Sequence, residues 1–168
     1  IKKYGNDKKN VLLALDTTTP IRTIPTKPRL SLISNLTKQD FTLFADKRFG
    51  DYPDSVIDIA PQSASIAHFA AIINAVDYLI SADTMAYHLA DAFNKPTLTI
   101  FTTIEPELRS KHYPNNTSIV IPDARSHRLW GMHKRPKDFK ESEVESLWQQ
   151  VSPEFWRSIL SNFFAEHQ

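Results

Sequence analysis

The ten residues Ser81-Ala82-Asp83-Thr84-Met85-Ala86-Tyr87-His88-Leu89-Ala90 decide how this chain is read. They continue the apolar run Tyr78-Leu79-Ile80, which has the character of a buried strand. Asp83 closes that strand with a carboxylate, and a helical pattern begins at once and runs over residues 84–93. Asn94-Lys95-Pro96 stops it, because proline cannot continue a helix, and residues 97–101 form the next strand. A helix that starts directly on a strand end presents unpaired N–H groups and a partial positive charge to whatever lies beyond the sheet. Asp83 is of a type that also caps helices, and a histidine at the place of His88 is more often packed or hydrogen-bonded than functional.

The same alternation extends outward. Residues 11–15 read as a buried strand ending in Asp16-Thr17-Thr18-Thr19. Residues 29–36 read as a short helix, with Pro28 in its first turn and Leu32, Ile33 and Leu36 at helical spacing. Residues 41–45 and 56–60 are two more strands. Ser65 caps a helix over residues 66–75 that carries Ile66, Phe69, Ala70 and Ile73 inward. Residues 118–121 make a sixth strand. Strands joined by helices of this length require crossover connections, which predicts an α/β, Rossmann-like three-layer sandwich with a mainly parallel sheet. Ligands of such sheets sit outside the carboxyl ends of the strands. Loops 16–25, 60–65 and 82–84 are therefore expected on one rim.

After Pro122 the strand signal ends. The expected organisation is a single domain over 1–168, with a core at 11–122, a basic loop at 123–140 and C-terminal helices at 141–164. In those helices Val144, Leu147 and Val151 form one apolar stripe, and Phe155, Ile159 and Phe163 another. With Trp148, Trp156 and Phe164 they make a large aromatic surface. It docks on the domain's own sheet, on a partner domain or on a second copy.

Composition narrows the function. The chain has 168 residues, 41% hydrophobic and 23% charged, with no cysteine. Disulfides, thiolate nucleophiles and cysteine zinc sites are thereby excluded. The three glycines, Gly5, Gly50 and Gly131, are too few and too scattered for a dinucleotide fingerprint or a P-loop. Neither a G-x-S-x-G elbow nor an H-E-x-x-H zinc helix occurs, and His127 and His133 read as exposed loop residues, so no metal is expected. A net charge of +1 argues against a nucleic-acid partner. The charge is uneven, however. Between residues 109 and 140 stand Arg109, Lys111, Arg125, Arg128, Lys134, Arg135, Lys137 and Lys140, against Asp123 and Asp138. Such a stretch meets phosphates or an anionic membrane surface, or is simply a solvated loop. The start Ile-Lys-Lys-Tyr-Gly-Asn lacks the apolar core of a signal peptide, and with the absent cysteines this gives a cytoplasmic expectation. An initial Ile1 in place of methionine fits a piece of a longer protein.

The 81–90 stretch resembles the D-[ST]-G-x-x-H-L signature of the lipopolysaccharide heptosyltransferases, glycosyltransferase family 9, whose members have the two-domain GT-B fold. Ala75-Val76-Asp77-Tyr78-Leu79-Ile80 is similar to the strand that precedes the signature, and Asn94-Lys95-Pro96-Thr97 to the turn that follows it. Upstream, Leu15 to Pro25 resembles the family's first strand-end loop, with hydroxyl residues followed by a basic residue. Downstream, Thr102-Thr103-Ile104-Glu105-Pro106 to Tyr113-Pro114 resembles another family loop. The resemblance spans residues 11–121. It implies the C-terminal, donor-binding half of a GT-B enzyme, with the N-terminal acceptor domain outside this chain.

What the resemblance implies for the site is specific. A nucleotide-diphosphate sugar, ADP-heptose among the candidates, would be the donor substrate, with no further cofactor. Thr17, Thr18 and Arg22 would meet the diphosphate from one side, hydroxyls and a guanidinium both suiting phosphate oxygens. Thr84 and the backbone at Met85 would hold the other side. Asp83 would touch the donor or fix its loop, and His88 would brace the phosphate loop or reach the site. Ser63 and Ala64 would lie along the nucleobase, and Asp46 near the ribose or sugar. The acceptor would be lipid-linked or polysaccharide, reached peripherally at the inner membrane. The family's base comes from the other domain, so no catalytic residue is assigned. Two positions depart from the pattern: Met85 replaces the family's glycine and Ile24 its tryptophan. Met85 places bulk where glycine allows close backbone approach. It favours a rival reading, a non-catalytic binding or scaffold module that kept the fold. Another GT-B enzyme, such as a nucleotide-sugar epimerase, is a second rival.

Overall fold

The computed structural model describes residues 7–132 and 139–167. His133 and the basic residues Lys134, Arg135 and Lys137 lie outside the described residues, as does Asp138. The elements in chain order are β1 (Lys9–Ala14), α1 (Thr26–Thr37), β2 (Phe41–Ala45), β3 (Val56–Asp58), α2 (Ile66–Ala75), β4 (Tyr78–Ala82), α3 (Met85–Ala92), β5 (Thr97–Phe101), α4 (Glu107–Ser110), β6 (Asn116–Val120), α5 (Glu141–Leu147) and α6 (Pro153–Glu166). The strands form one sheet in the order β3-β2-β1-β4-β5-β6, and every pairing is parallel. This is the Rossmann-like α/β sandwich the alternation predicts.

Period-two burial divides the core between the two faces. Val11, Leu13, Leu43, Ile80, Leu98 and Ile100 pack toward α1, α5 and α6. Leu12, Phe44, Leu79 and Phe101 pack toward α2 and α3. Strands covered on both faces carry near-continuous apolar sequence, which is why residues 11–15 and 78–80 stood out.

Element ends moved for identifiable reasons. Helix α1 starts at Thr26, three residues before the expected start, with Pro25 as N-cap and Pro28 in the first turn. β3 ends at Asp58 rather than Ala60, since Asp58 Oδ1 accepts the Lys47 and Ala60 amides at 3.0 and 2.9 Å and Ala60–Gln62 folds into a 3-10 turn. β6 runs over Asn116–Val120, because the Asn116 side chain accepts the Thr99 hydroxyl at 2.5 Å and gives polar residues a place in the ladder. Asn94 adopts φ 53°, the left-handed conformation that ends a helix and that asparagine tolerates.

Two burial expectations are corrected. Ile66 is 64% exposed, because the first turn of α2 overhangs the rim, and of α2 only Ile73 is fully buried. On α6 the buried stripe is Trp156, Leu160, Phe163 and Phe164, one position out of phase with Phe155 and Ile159, which are half-buried. The C-terminal helices dock on the domain's own sheet. Phe164 stacks on Phe41 at 4.5 Å between ring centres and edge-on against Tyr78 at 5.1 Å, and the Tyr78 hydroxyl donates to the His167 carbonyl at 3.1 Å. Trp148 and Trp156 are buried in the same cluster. Most of the aromatic surface is thus consumed inside the domain.

Candidate functional site

The sheet order reverses between β1 and β4, the neighbours from which the chain departs in opposite directions. At such a point the two strand-end loops diverge and leave a crevice. A cleft of about 680 Å³ opens there. It is lined by Thr17, Thr18 and Arg22 after β1, Asp46 and Arg48 after β2, Ser63 after β3, Asp83, Thr84, Met85 and His88 after β4, and Arg109 on α4. Nine of the ten residues singled out from the sequence therefore converge. Ala64 does not line the cleft; it is exposed on the rim between Ser63 and Ser65.

The β1 loop is tightly self-bonded. The Thr17 amide donates to Thr23 Oγ1 at 3.0 Å, the Thr17 hydroxyl donates to the Thr19 carbonyl at 2.6 Å, and the Thr19 amide donates back to Thr17 Oγ1 at 3.0 Å. Thr17 thus shapes the loop, and Thr18 is left exposed on the cleft wall. Arg22 follows Ile21 in the 3-10 turn Pro20–Arg22, and the burial of Ile21 aims this turn at the cleft. The Arg22 guanidinium donates to Thr19 Oγ1 at 3.0 Å and to Asp83 Oδ2 at 3.2 Å. One ion pair therefore bridges the two loops of the switch point.

Asp83 is not the helix cap. Thr84 caps α3, its hydroxyl accepting the Ala86 amide at 2.9 Å. Asp83, buried at 6% exposure, instead receives Arg22 on one oxygen and the Tyr87 hydroxyl on the other at 3.3 Å. Burial, with the Asp83 charge beside it, pushes the Tyr87 phenol above its ordinary range and keeps it a donor. Met85 opens α3 and is 46% exposed inside the cleft. His88, one turn on, pairs its Nδ1 with the Tyr113 hydroxyl at 2.6 Å and stacks on Tyr87. Burial holds its imidazole below the ordinary 6.5, Arg109 adding to the effect and Asp83 opposing it.

On the other flank, Asp46 is engaged by Arg48, whose Nε and Nη2 reach its two oxygens at 2.9 and 2.5 Å and whose Nη2 also reaches the Ser63 carbonyl at 2.8 Å. This bidentate pair holds the Asp46 carboxyl below its usual value.

The sequence reading passed over the residues beneath this flank. Arg29 of α1 is buried and ion-paired with Asp16, and it also donates to the Ile24 carbonyl at 3.3 and 3.0 Å. The Tyr52 hydroxyl donates to the second Asp16 oxygen at 2.7 Å, and the Arg29 guanidinium lies 4.8 Å from the Tyr52 ring centre. Burial raises the Tyr52 phenol well above its ordinary range. Gly50 crosses this cluster so closely that a Cβ there would stand 1.8 Å from Arg29 Nη1 and 2.7 Å from Asp16 Oδ1. The network fastens the β1 loop to α1 and to the β2–β3 loop. A charged residue at a core phase of α1, and one of only three glycines, were the available signals. Arg48, Phe49 and Arg109 also line the cleft without having been assigned to it. Among the described residues no group of three or more His, Asp or Glu side chains is placed to hold a metal.

Comparisons with known proteins bear on the family and the fold. The family model of glycosyltransferase family 9 (heptosyltransferase) matches residues 44–129. Among solved structures, the E. coli ADP-heptose LPS heptosyltransferase II is similar at TM-score 0.69 and 10% identity, covering 98% of this chain and 50% of that one. The dodecameric iron-containing heptosyltransferase TibC of E. coli, solved with ADP-D-β-D-heptose, gives TM-score 0.68 at 12% identity, covering 98% of this chain and 47% of that one. The E. coli heptosyltransferase WaaC with ADP gives TM-score 0.62 at 16% identity, covering 86% and 45%. The chain thus spans about half the length of the structures it matches, and at these identities the likeness is one of fold. No curated protein matches it.

Proposed function

The chain belongs to glycosyltransferase family 9 (heptosyltransferase), and on that premise we propose that it is the donor-binding half of a sugar transferase, holding a nucleotide-diphosphate sugar in the β1–β4 cleft. The observation that carries this reading is the convergence of Arg22, Asp83, Thr84 and the start of α3 at the topological switch point. In this reading the diphosphate lies between Arg22 and the first turn of α3, whose amides other than the capped Ala86 N–H suit an anion. Arg22 and the helix terminus stabilise the negative charge that gathers on the diphosphate as the sugar leaves. Thr18 adds a hydroxyl, and His88, neutral at pH 7, offers its free Nε2. Ser63, Arg48 and Asp46 flank the nucleoside end. ADP-heptose is the proposed donor, in line with the ligands of the matched structures.

The base that takes the acceptor's proton is assigned to an N-terminal domain beyond this chain, so the chain alone binds donor without turnover. The proposed acceptor is lipid-linked or a polysaccharide, met at the cytoplasmic face of the inner membrane. No described helix is long and apolar enough to cross a membrane. Of the basic stretch, Arg125 and Arg128 are ion-paired with Glu105 and Glu143, which leaves less free charge for a membrane than the sequence count gives.

One observation favours a second reading, a module that has abandoned its donor. Met85 stands in the cleft where the family has glycine, and helical side chains lean toward the N-terminus, here toward the ligand. Calorimetric titration with ADP and with adenosine separates the two. The donor reading expects ADP to bind and adenosine to bind far more weakly; heatless titrations with both leave the scaffold reading standing.

A further inference from the structure

The charges of the cleft are almost all matched internally. Asp16, Asp46 and Asp83 line it, and each is ion-paired with an arginine: Arg29, Arg48 and Arg22 respectively. Arg109 lines the same cleft and is exposed, and among the described residues its side chain forms no ion pair or hydrogen bond. An anion approaching Arg22 must compete with Asp83, and one approaching Arg48 must compete with Asp46. At Arg109 no internal pair has to break.

Its place along the rim gives it a direction. Following the sheet order, the cleft passes Ser63 after β3, Arg48 after β2, Arg22 after β1, Thr84 after β4 and Arg109 after β5. With the nucleoside at the β2–β3 end and the diphosphate at the β1–β4 crevice, Arg109 stands at the end remote from the nucleoside. His88 lines the same cleft; its Nδ1 is held by Tyr113, which leaves its Nε2 for a ligand. The Arg109 charge is close enough to help hold that imidazole neutral.

We propose that Arg109 is a second anion anchor of this cleft, taking a phosphate or carboxylate group carried by the transferred sugar or by the acceptor saccharide. The direction assigned to it rests on the donor reading; the existence of the anchor does not.

The test titrates glucose 6-phosphate onto the chain, with and without saturating ADP, following the His88 ring by NMR. Binding is expected, weakened about tenfold or more by Arg109→Ala, the range for losing a hydrogen bond to a charged group, and only in part by Arg109→Lys. Arg125→Ala, which removes an exposed arginine paired elsewhere, should change nothing. Glucose 6-phosphate binding alongside ADP places the anion on the acceptor. An advantage of UDP-glucuronate over UDP-glucose that Arg109→Ala erases places it on the donor sugar. If ADP itself fails to bind, the donor reading falls, and the glucose 6-phosphate titration of the unloaded chain still decides the anchor. The proposal is overturned if neither anionic probe depends on Arg109, or if Arg109→Ala weakens ADP as much as Arg22→Ala does, which would make Arg109 a diphosphate contact.

Discussion

The two flanks of the cleft are built on opposite principles. Under the β1–β2 flank, Asp16, Arg29, Tyr52 and Gly50 form a buried network in which each carboxylate oxygen has a donor and the guanidinium has carboxylate, carbonyl and ring partners. On the β4–β5 flank, Met85, His88 and Arg109 are exposed, and among the described residues the Arg109 side chain has no hydrogen bond or ion pair. Buried charges must be satisfied from within the protein, so the first flank is a fixed frame. Exposed groups with open valences can be satisfied by a ligand, so the second flank keeps side chains that a ligand can engage without breaking an internal pair. Arg22–Asp83 spans the boundary, being half-exposed on one side and buried on the other.

The largest effect that would sharpen this contrast is on the frame. Arg29→Ala takes the cation from the largely buried Asp16 carboxylate, which keeps only the Tyr52 hydroxyl, and should cost up to about 3–5 kcal/mol, read as a lower midpoint in urea unfolding. An exposed-flank change such as Arg109→Ala should leave that midpoint in place. Equal losses would erase the distinction between the flanks.

Arg22→Ala comes next. It should weaken diphosphate binding by about 1.5–3 kcal/mol, with a smaller effect on unfolding because the Arg22 side chain is 32% exposed. Calorimetry with ADP and with adenosine checks it: equal losses for both ligands would remove Arg22 from the diphosphate.

Gly50→Ala adds a methyl group to a site whose nearest atom, Arg29 Nη1, is already pinned by the ion pair. An overpacking cost of about 1–3 kcal/mol is expected in thermal or urea unfolding. A neutral result would show that Arg29 can swing away, and that the frame is softer than its hydrogen bonds suggest.

The sequence carried the frame's strands but not its polar core. Runs such as residues 41–45 and 97–101 were legible because strands buried on both faces must be continuously apolar. The switch-point loops were legible through the resemblance and through the rule that parallel sheets bind at their carboxyl ends. Arg29, Tyr52 and Gly50 were not legible, since their meaning lies in contacts between segments 13 to 36 residues apart. Asp83 illustrates the limit on a smaller scale. An aspartate before a helix is a reasonable cap, yet the adjacent Thr84 takes that role and frees Asp83 for Arg22. The α6 stripe is shifted by one position from the expected one because both Phe155 and Trp156 begin an apolar spacing, and the phase is set only where Phe163 and Phe164 pack on Tyr78 and Phe164 on Phe41.

Two smaller effects belong to the exposed flank. Met85→Gly should lower stability by up to about 1 kcal/mol, glycine's helix cost, while tightening ADP binding by removing the side chain from the cleft. Tighter binding with no loss of fold would identify Met85 as an obstruction. The smallest effect is with pH. The imidazole of His88 titrates below 6.5 in the folded chain, so its contribution is present above pH 6.5 and is lost as the pH falls through the folded value. Unfolding free energies at pH 7.5 and 5.5 should differ less in His88→Gln than in the parent chain.

A nucleoside diphosphate is proposed to occupy the β1–β4 switch point. Amide chemical-shift mapping of the chain with ADP tests it most directly. The expected shifts concentrate at residues 17–23 and 83–88 and are lost when adenosine replaces ADP. Shifts confined to the β6 edge or to α6, or the same shifts with adenosine, would contradict it.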